Sequence, residues 1–283
     1  MKNIVVIRRF QPGDEIQFRK MINNEIMGSL NLAVLSNLSK ETTFQLIILS
    51  SAIAFIFFDM PLKICISLIP IVISLIYAAT FMGFTMTAVQ IDRELSNIPR
   101  FYMSNAFSCF WVAEAFKPYH KSSHSNQCQY TIMTKKQFYG SKMHVSSQCT
   151  KIVGTIGLLK SHRVENGAWI KRLCIDKEYR RKGIASMLLT TAINFAINQG
   201  YSCVDTATSE YIKGSRELMF RTGFQLKQMY HKRVMRPLTS ILFYELTYKI
   251  KNDRTSLYFK SEMDGISQPH LTLKSLIENV NKQ

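Results

Sequence analysis

A chain of 283 residues with 47% hydrophobic content has room for one domain of the usual size plus further segments, and is too apolar to be wholly disordered. Its formal net charge of +17 suits an anionic partner: nucleic acid, an acidic membrane surface or the phosphates of a cofactor. No RNP-like, zinc-finger or helix-turn-helix pattern accompanies the charge, so nucleic acid is not an expected partner. The 6 cysteines are scattered through an apolar run, expected core strands and polar segments, as free thiols of a cytosol-facing domain would be.

Residues 4–10, rich in β-branched side chains, predict a first strand, and 14–27 read as an amphipathic helix after Pro12-Gly13. Residues 43–58 are almost continuously apolar, and after Asp59-Met60-Pro61-Leu62-Lys63 a second run, 64–84, carries no charge. A spanning helix takes about 20 apolar residues, and about 17 suffice. The two runs therefore predict a transmembrane helical hairpin over 43–84, kinked at Pro70. A buried pair in a soluble core is the alternative, but soluble helices rarely lack charge on every face. Residues 1–42 are mixed, with Arg8, Arg9, Asp14 and Glu15 among them, and show no signal-peptide pattern. Lys40 and Arg93 flank the pair and only Lys63 lies between, so the positive-inside rule puts both ends in the cytosol. The expected setting is a multi-pass protein of an internal membrane, the endoplasmic reticulum, with its folded domain facing the cytosol.

Beyond the hairpin, strands are expected at 108–115, 151–160, 169–175, 202–207, 224–234 and 240–250, with helices at 186–196 and just before Phe224. These make an α/β (α+β) domain: a mixed sheet flanked by helices and interrupted by the hairpin. The expected division is a first strand and helix (1–42), the hairpin (43–84), the remaining domain (85–250) and a polar tail (251–283). Residues 117–150 look like a loop insertion. His120, His124 and Cys128 recur every four residues, but the Ser-Ser-His-Ser-Asn setting is that of a surface loop, and no metal is expected.

The most informative stretch runs from Asp176 to Ala185, between an expected strand and an expected helix. Small residues at Gly183 and Ala185 let a phosphate approach the backbone, and helix-start amides with their partial positive charge can hold it. Arg180, Arg181 and Lys182 add full charges. Strand, basic turn, Arg-x-x-Gly-x-Ala and helix, followed by a Leu-Met-x-x-x-Gly-Phe segment at 218–224, resemble the acetyl-CoA site of the GCN5-related N-acetyltransferase (GNAT) superfamily. With the hairpin, the motifs at 7–10, 108–114, 151–154, 181–185 and 205–208 resemble the membrane-bound camello branch, the N-acetyltransferase 8-like proteins, over about residues 4–224.

The resemblance implies a GNAT-like mixed sheet, acetyl-CoA as co-substrate, and direct attack of an amine on the thioester. Leu173, Cys174 and Ile175 would meet the pantetheine arm through their backbone, one N–H there steadying the acyl oxygen. Arg180, Arg181, Lys182, Gly183, Ile184, Ala185 and Ser186 would wrap the pyrophosphate. Acceptors in the branch are amino acids and conjugates, including aspartate and cysteine S-conjugates, or protein lysines. A small-molecule amine acceptor is expected here, with a protein lysine acetyltransferase and an inactive CoA-binding membrane adaptor as the alternatives.

The catalytic groups depart from the family pattern. Met219 stands where a tyrosine acid is common, leaving Tyr211, Tyr230 or water. Glu114, Asp205 and Glu210 are the candidate bases, and Glu210 is preferred because it follows the strand end where acceptors approach. Cys174 invites a nucleophile role, against which no activating base is evident, so a small apolar strand residue is the better expectation. Strand alternation sends Lys171 and Arg172 to opposite faces. Arg172 either grips the carboxylate of an amino-acid-like acceptor or pairs with Glu114 or Asp205.

Overall fold

The computed structural model describes residues 3–59, 61–118, 130–134, 138, 148–212, 214–235 and 239–250. One mixed sheet organises it. Strand β1 (Asn3–Arg9) pairs antiparallel with β2 (Cys109–Pro118), Ile7 opposite Ala113, so residues 10–108 are inserted between two neighbouring strands. Strand β4 (Gln148–Lys160) follows β2, then β5 (Gly167–Ile175), β6 (Cys203–Ser209) and the hairpin of β7 (Gln225–Met235) and β8 (Thr239–Lys249). The order is β3-β1-β2-β4-β5-β6-β8-β7, with β3 (Tyr130–Thr134) parallel to β1 at one edge. That strand lies within the segment expected to be a loop. Its Met133 packs with Ile4 and Val6, which is what draws a short apolar stretch out of polar surroundings onto the sheet. The histidines at 120 and 124 and Cys128, like the tail at 251–283, lie outside the described residues.

Parallel pairing of β5 and β6 needs a crossover, supplied by α6 (Ile184–Asn198). Leu188, Leu189, Ala192, Ile193 and Ala196 recur at helical spacing and are buried against the sheet. Burying one such Leu is worth about 1.5–3 kcal/mol. On the other face lies α1 (Glu15–Gly28), whose Phe18 and Ile22 are one turn apart and join Phe10, Tyr102 and Phe110 in a core cluster. Two short helices were not legible in the sequence: α2 (Leu30–Leu38) and α5 (Ile98–Tyr102).

The expected hairpin is α3 (Glu41–Phe58) and α4 (Leu62–Leu95). Helix α4 runs through Pro70 and continues past Phe84 to Leu95, well beyond the apolar run. Its 34 residues make about 51 Å of helix, against a bilayer core of about 30 Å. Most apolar side chains of the pair are uncovered: Ile48 is 68%, Ile56 71% and Phe57 79% exposed. The base of the pair is tied to the sheet by polar contacts. Lys40 Nζ donates to Asn37 Oδ1 and to the Ser240 carbonyl, both at 2.7 Å, and Asn37 Nδ2 donates to Thr80 Oγ1 at 3.4 Å.

Candidate active site

Strands β5 and β6 pair from Gly167 and Cys203 to Ile170 and Thr206, then separate. Strand β5 runs on to Ile175 beside β4, while β6 runs on to Ser209 beside β8. The backbone edge of β5 from Lys171 onward thus faces a gap instead of a ladder. Opposite β4, Thr155 pairs with Cys174 and Gly157 with Lys171, which leaves one extra residue on β5: a bulge. Arg172 sits in it at φ +58°, a left-handed conformation that disfavours an L residue by about 1–2 kcal/mol. The bulge breaks the alternation expected of this strand, and Lys171 and Arg172 both line the same cavity.

That cavity, of about 640 Å³, lies in the gap. Its walls are Leu173 and Cys174 of β5, Thr206 to Ser209 of β6, and side chains of α1, α4, the β7–β8 hairpin and α7 (Ser215–Arg221). Arg172 is not open to a ligand in the way expected. Its Nε and one terminal amino group donate to Glu94 at 3.2 and 2.6 Å, occupying the guanidinium fork. Neither expected partner is available: Glu114 pairs with Arg8 at 2.6 Å and Asp205 with Lys227 at 2.6 Å.

Beyond β5, Asp176 caps a 3₁₀ turn (Lys177–Tyr179) by accepting the Glu178 N–H at 3.1 Å. Gly183, at φ +82°, then starts α6. The first bond of the helix runs from Met187 N–H to the Gly183 carbonyl at 3.1 Å, leaving the amides of Ile184, Ala185 and Ser186 with no intrahelical acceptor. A Cβ on Gly183 would meet only Ile132 Cδ1, at 3.5 Å, so φ and not crowding by the protein makes glycine necessary there. The three cations of the turn differ. Arg180 is exposed but engaged, donating to the Ile175 carbonyl at 3.1 Å and to Glu25. Lys182 donates to the Glu178 carbonyl at 2.6 Å and to Tyr130 Oη at 3.0 Å, so the unforeseen strand β3 reaches this turn. Arg181 is exposed and makes no ion pair among the described residues. A cradle of free amides beside exposed positive charge fits a pyrophosphate.

Cys174 does not have the character of a nucleophile. Burial pushes its thiol up to about 12, and it packs in the core cluster with Ile22, Ile91 and Leu95. Met219 is buried and lines the cavity, as does Tyr211, whose buried hydroxyl has Ser36 and Glu210 as its polar neighbours. Burial pushes the Tyr211 phenol up to about 12, so it stays protonated. Tyr230 stacks on Phe243 and does not line the cavity. Glu210 lies outside it too: it is exposed, and its carboxylate accepts the Leu242 N–H at 3.2 Å. Glu25 and Glu94, the carboxylates that do line it, come from α1 and α4. Sequence reasoning passed over both, although each follows an apolar residue by three positions, Ile22 and Ile91, and so shares its helix face. Among the described residues no group of three or more His, Cys, Asp or Glu side chains could hold a metal ion.

Residues 103–224, from just after α5 through α7, match the model of the acetyltransferase (GNAT) family. The chain is 25% identical over 164 residues to N-acetyltransferase family 8 member 3 of Rattus norvegicus, covering 58% of this chain and 59% of the relative. It is 31% identical over 112 residues to N-acetyltransferase 8B of Rattus norvegicus, covering 38% and 50%. To N-acetylaspartate synthetase of Danio rerio it is 23% identical over 227 residues, covering 79% and 68%. The chain thus spans between half and about two thirds of these relatives' lengths. The resemblance to the camello branch, drawn from the hairpin and the turn, is borne out by them.

Proposed function

We propose that this protein is a membrane-anchored, acetyl-CoA-dependent N-acetyltransferase acting on the amino group of a small, carboxylate-bearing amino acid or conjugate. The observation that carries it is that the β5–β6 gap opens on one cation-lined cavity, while the same strand β5 leads through the basic turn into the amide cradle of α6. Acetyl-CoA, when bound, supplies the acetyl thioester. Gly183, the amides of Ile184, Ala185 and Ser186, and Arg181 hold the pyrophosphate, with Lys182 steadied beside it by Tyr130. The backbone edge of Leu173 and Cys174 pairs with the pantetheine arm, and an N–H there stabilises charge developing on the acyl oxygen. Lys171, Lys232 and Arg233 line the cavity without an ion pair among the described residues, and receive the acceptor's carboxylate. Both cavity carboxylates are engaged with arginines, so the amine's proton leaves through water. Tyr211 donates a hydrogen bond to the departing thiolate.

Anchoring is supported by two apolar helices long enough to span, with 6% and 22% of their most apolar windows buried. The arrangement proposed is two crossings with the domain on the cytosolic face of the endoplasmic reticulum. Retention of the full chain through carbonate extraction, with cytosolic tags at both ends open to protease, is expected. Release into the soluble fraction refutes it.

The activity is tested with full-length protein in detergent, acetyl-CoA and a panel of aspartate, cysteine S-conjugates, polyamines and a lysine peptide. Aspartate enters the panel because of the Danio rerio relative's name. Amine-dependent release of CoA, largest with a carboxylate-bearing acceptor, is expected. Release largest with the lysine peptide points to a protein substrate, and CoA binding without any release to an adaptor.

A further inference from the structure

The last turn of α4 ends in the wall of the cavity. Ile91 and Leu95 lie in the core cluster with Tyr102 and Cys174, which fixes the turn, and Glu94 projects from it with both oxygens engaged. Oε2 accepts from the Arg172 terminal amino group at 2.6 Å and Oε1 from Arg172 Nε at 3.2 Å. The hydroxyl of the buried Tyr102 donates to Oε1 as well. Arg172 is the left-handed residue of the β5 bulge, and Thr155 Oγ1 donates to its carbonyl at 2.9 Å. Glu94 and Thr155 thus hold the side chain and the carbonyl of a single strained residue, with Tyr102 fixing Glu94 in turn, and the neighbours of that residue, Leu173 and Cys174, form the cavity edge. A structural ion pair needs no left-handed backbone. A general base would need an oxygen free to face the amine.

We infer that Glu94 is a positioning residue for acyl transfer: through Arg172 it holds the β5 bulge in its left-handed form, so that the backbone of Leu173 and Cys174 faces the acyl group. The catalytic strand thus depends on the end of the helix that anchors the protein. This rests on the acetyl-transfer reading for its consequence in turnover, while the state of the bulge can be read without turnover.

The test uses full-length protein in detergent, each variant first shown to melt cooperatively. Glu94→Ala is expected to lower kcat by at least about tenfold while changing the acetyl-CoA KM less than about threefold. Glu94→Gln, which keeps an oxygen acceptor, retains more turnover and serves if Glu94→Ala does not fold. Glycine adopts positive φ unaided. Arg172→Gly is therefore expected to keep more turnover than Arg172→Ala, and Glu94→Ala to have no further effect in the Arg172→Gly background. Hydrogen exchange over 171–175 should quicken in Glu94→Ala and return toward the parent rate in the double variant. Equal losses in Arg172→Gly and Arg172→Ala, additive losses in the double variant, or parent-like exchange in Glu94→Ala overturn the inference. A parent protein that transfers no acetyl group fails the functional reading alone, and the exchange comparison still decides the role of Glu94.

Discussion

Ile170 and Thr206 are the last residues paired across β5 and β6, and the Thr206 hydroxyl donates to the Ile170 carbonyl at 3.3 Å. This contact sets where the two strands part. Below it they form an ordinary parallel ladder; above it they are walls of the cavity.

Thr206→Val keeps the shape of the side chain and removes the bond, leaving a buried carbonyl with one partner fewer. A loss of about 1 kcal/mol in unfolding free energy is expected, measured by denaturant titration. Because the fork of the strands loosens with it, acetyl-CoA binding should weaken as well. Unchanged stability and unchanged binding together would show that the ladder alone fixes the fork.

Gly183 carries φ +82°, and its would-be Cβ would make one ordinary contact, with Ile132 Cδ1 at 3.5 Å. Gly183→Val should therefore fold, at a cost in backbone strain of about 1–3 kcal/mol, yet place its side chain where the pyrophosphate approaches the amides of Ile184 and Ala185. Acetyl-CoA affinity is expected to fall more than about tenfold, or roughly 1.4 kcal/mol. Calorimetric titration checks it, and near-parental affinity in a folded variant would remove the turn from the cofactor site.

The cavity cations separate acceptor from cofactor. Arg233→Met and Lys171→Met are each expected to raise the KM for a carboxylate-bearing acceptor by about tenfold, as loss of a charge-assisted bond of about 1.5–3 kcal/mol implies, and to leave acetyl-CoA binding unchanged. Steady-state kinetics with aspartate and a neutral amine side by side decide the matter. An equal rise for both acceptors would reject carboxylate recognition at these positions.

The positions of the strands along the chain and the phosphate turn were legible because each is local: short apolar and β-branched stretches mark β5 and β6, and Gly183 between three cations and an apolar helix marks the cradle. The bulge was not, because it belongs to two strands at once and Arg172 looks like any strand residue until its register against Thr155 and Gly157 is known. Glu94 was missed for a related reason. The apolar run stops at Phe84 while the helix does not, so only the packing of Ile91 and Leu95 against the domain shows where the helix carries its carboxylate. Glu210 failed in the opposite sense: its place after β6 is as expected, but its carboxylate is turned to the Leu242 amide.

Tyr211 supplies the last prediction. Its hydroxyl is buried, with Ser36 and Glu210 as its polar neighbours, and burial pushes its pKa up to about 12 from an ordinary value of 10. The direction fixes the consequence: a raised phenol pKa keeps the donor form present throughout the range below about 12, so deprotonation of Tyr211 removes no activity near neutrality. As pH rises, kcat/KM should increase while the acceptor amine loses its proton, and it should then level off without a descending limb below about pH 10. Tyr211→Phe keeps the ring in its packing with Leu30, Phe84 and Ile241 and removes only the donor. An assisted thiolate departure then loses about ten- to a hundredfold in kcat, with the acceptor and acetyl-CoA KM values little changed. A Tyr211→Phe variant with parental kcat would show that the thiolate leaves unassisted, and that Met219 stands in a position where this protein needs no acid.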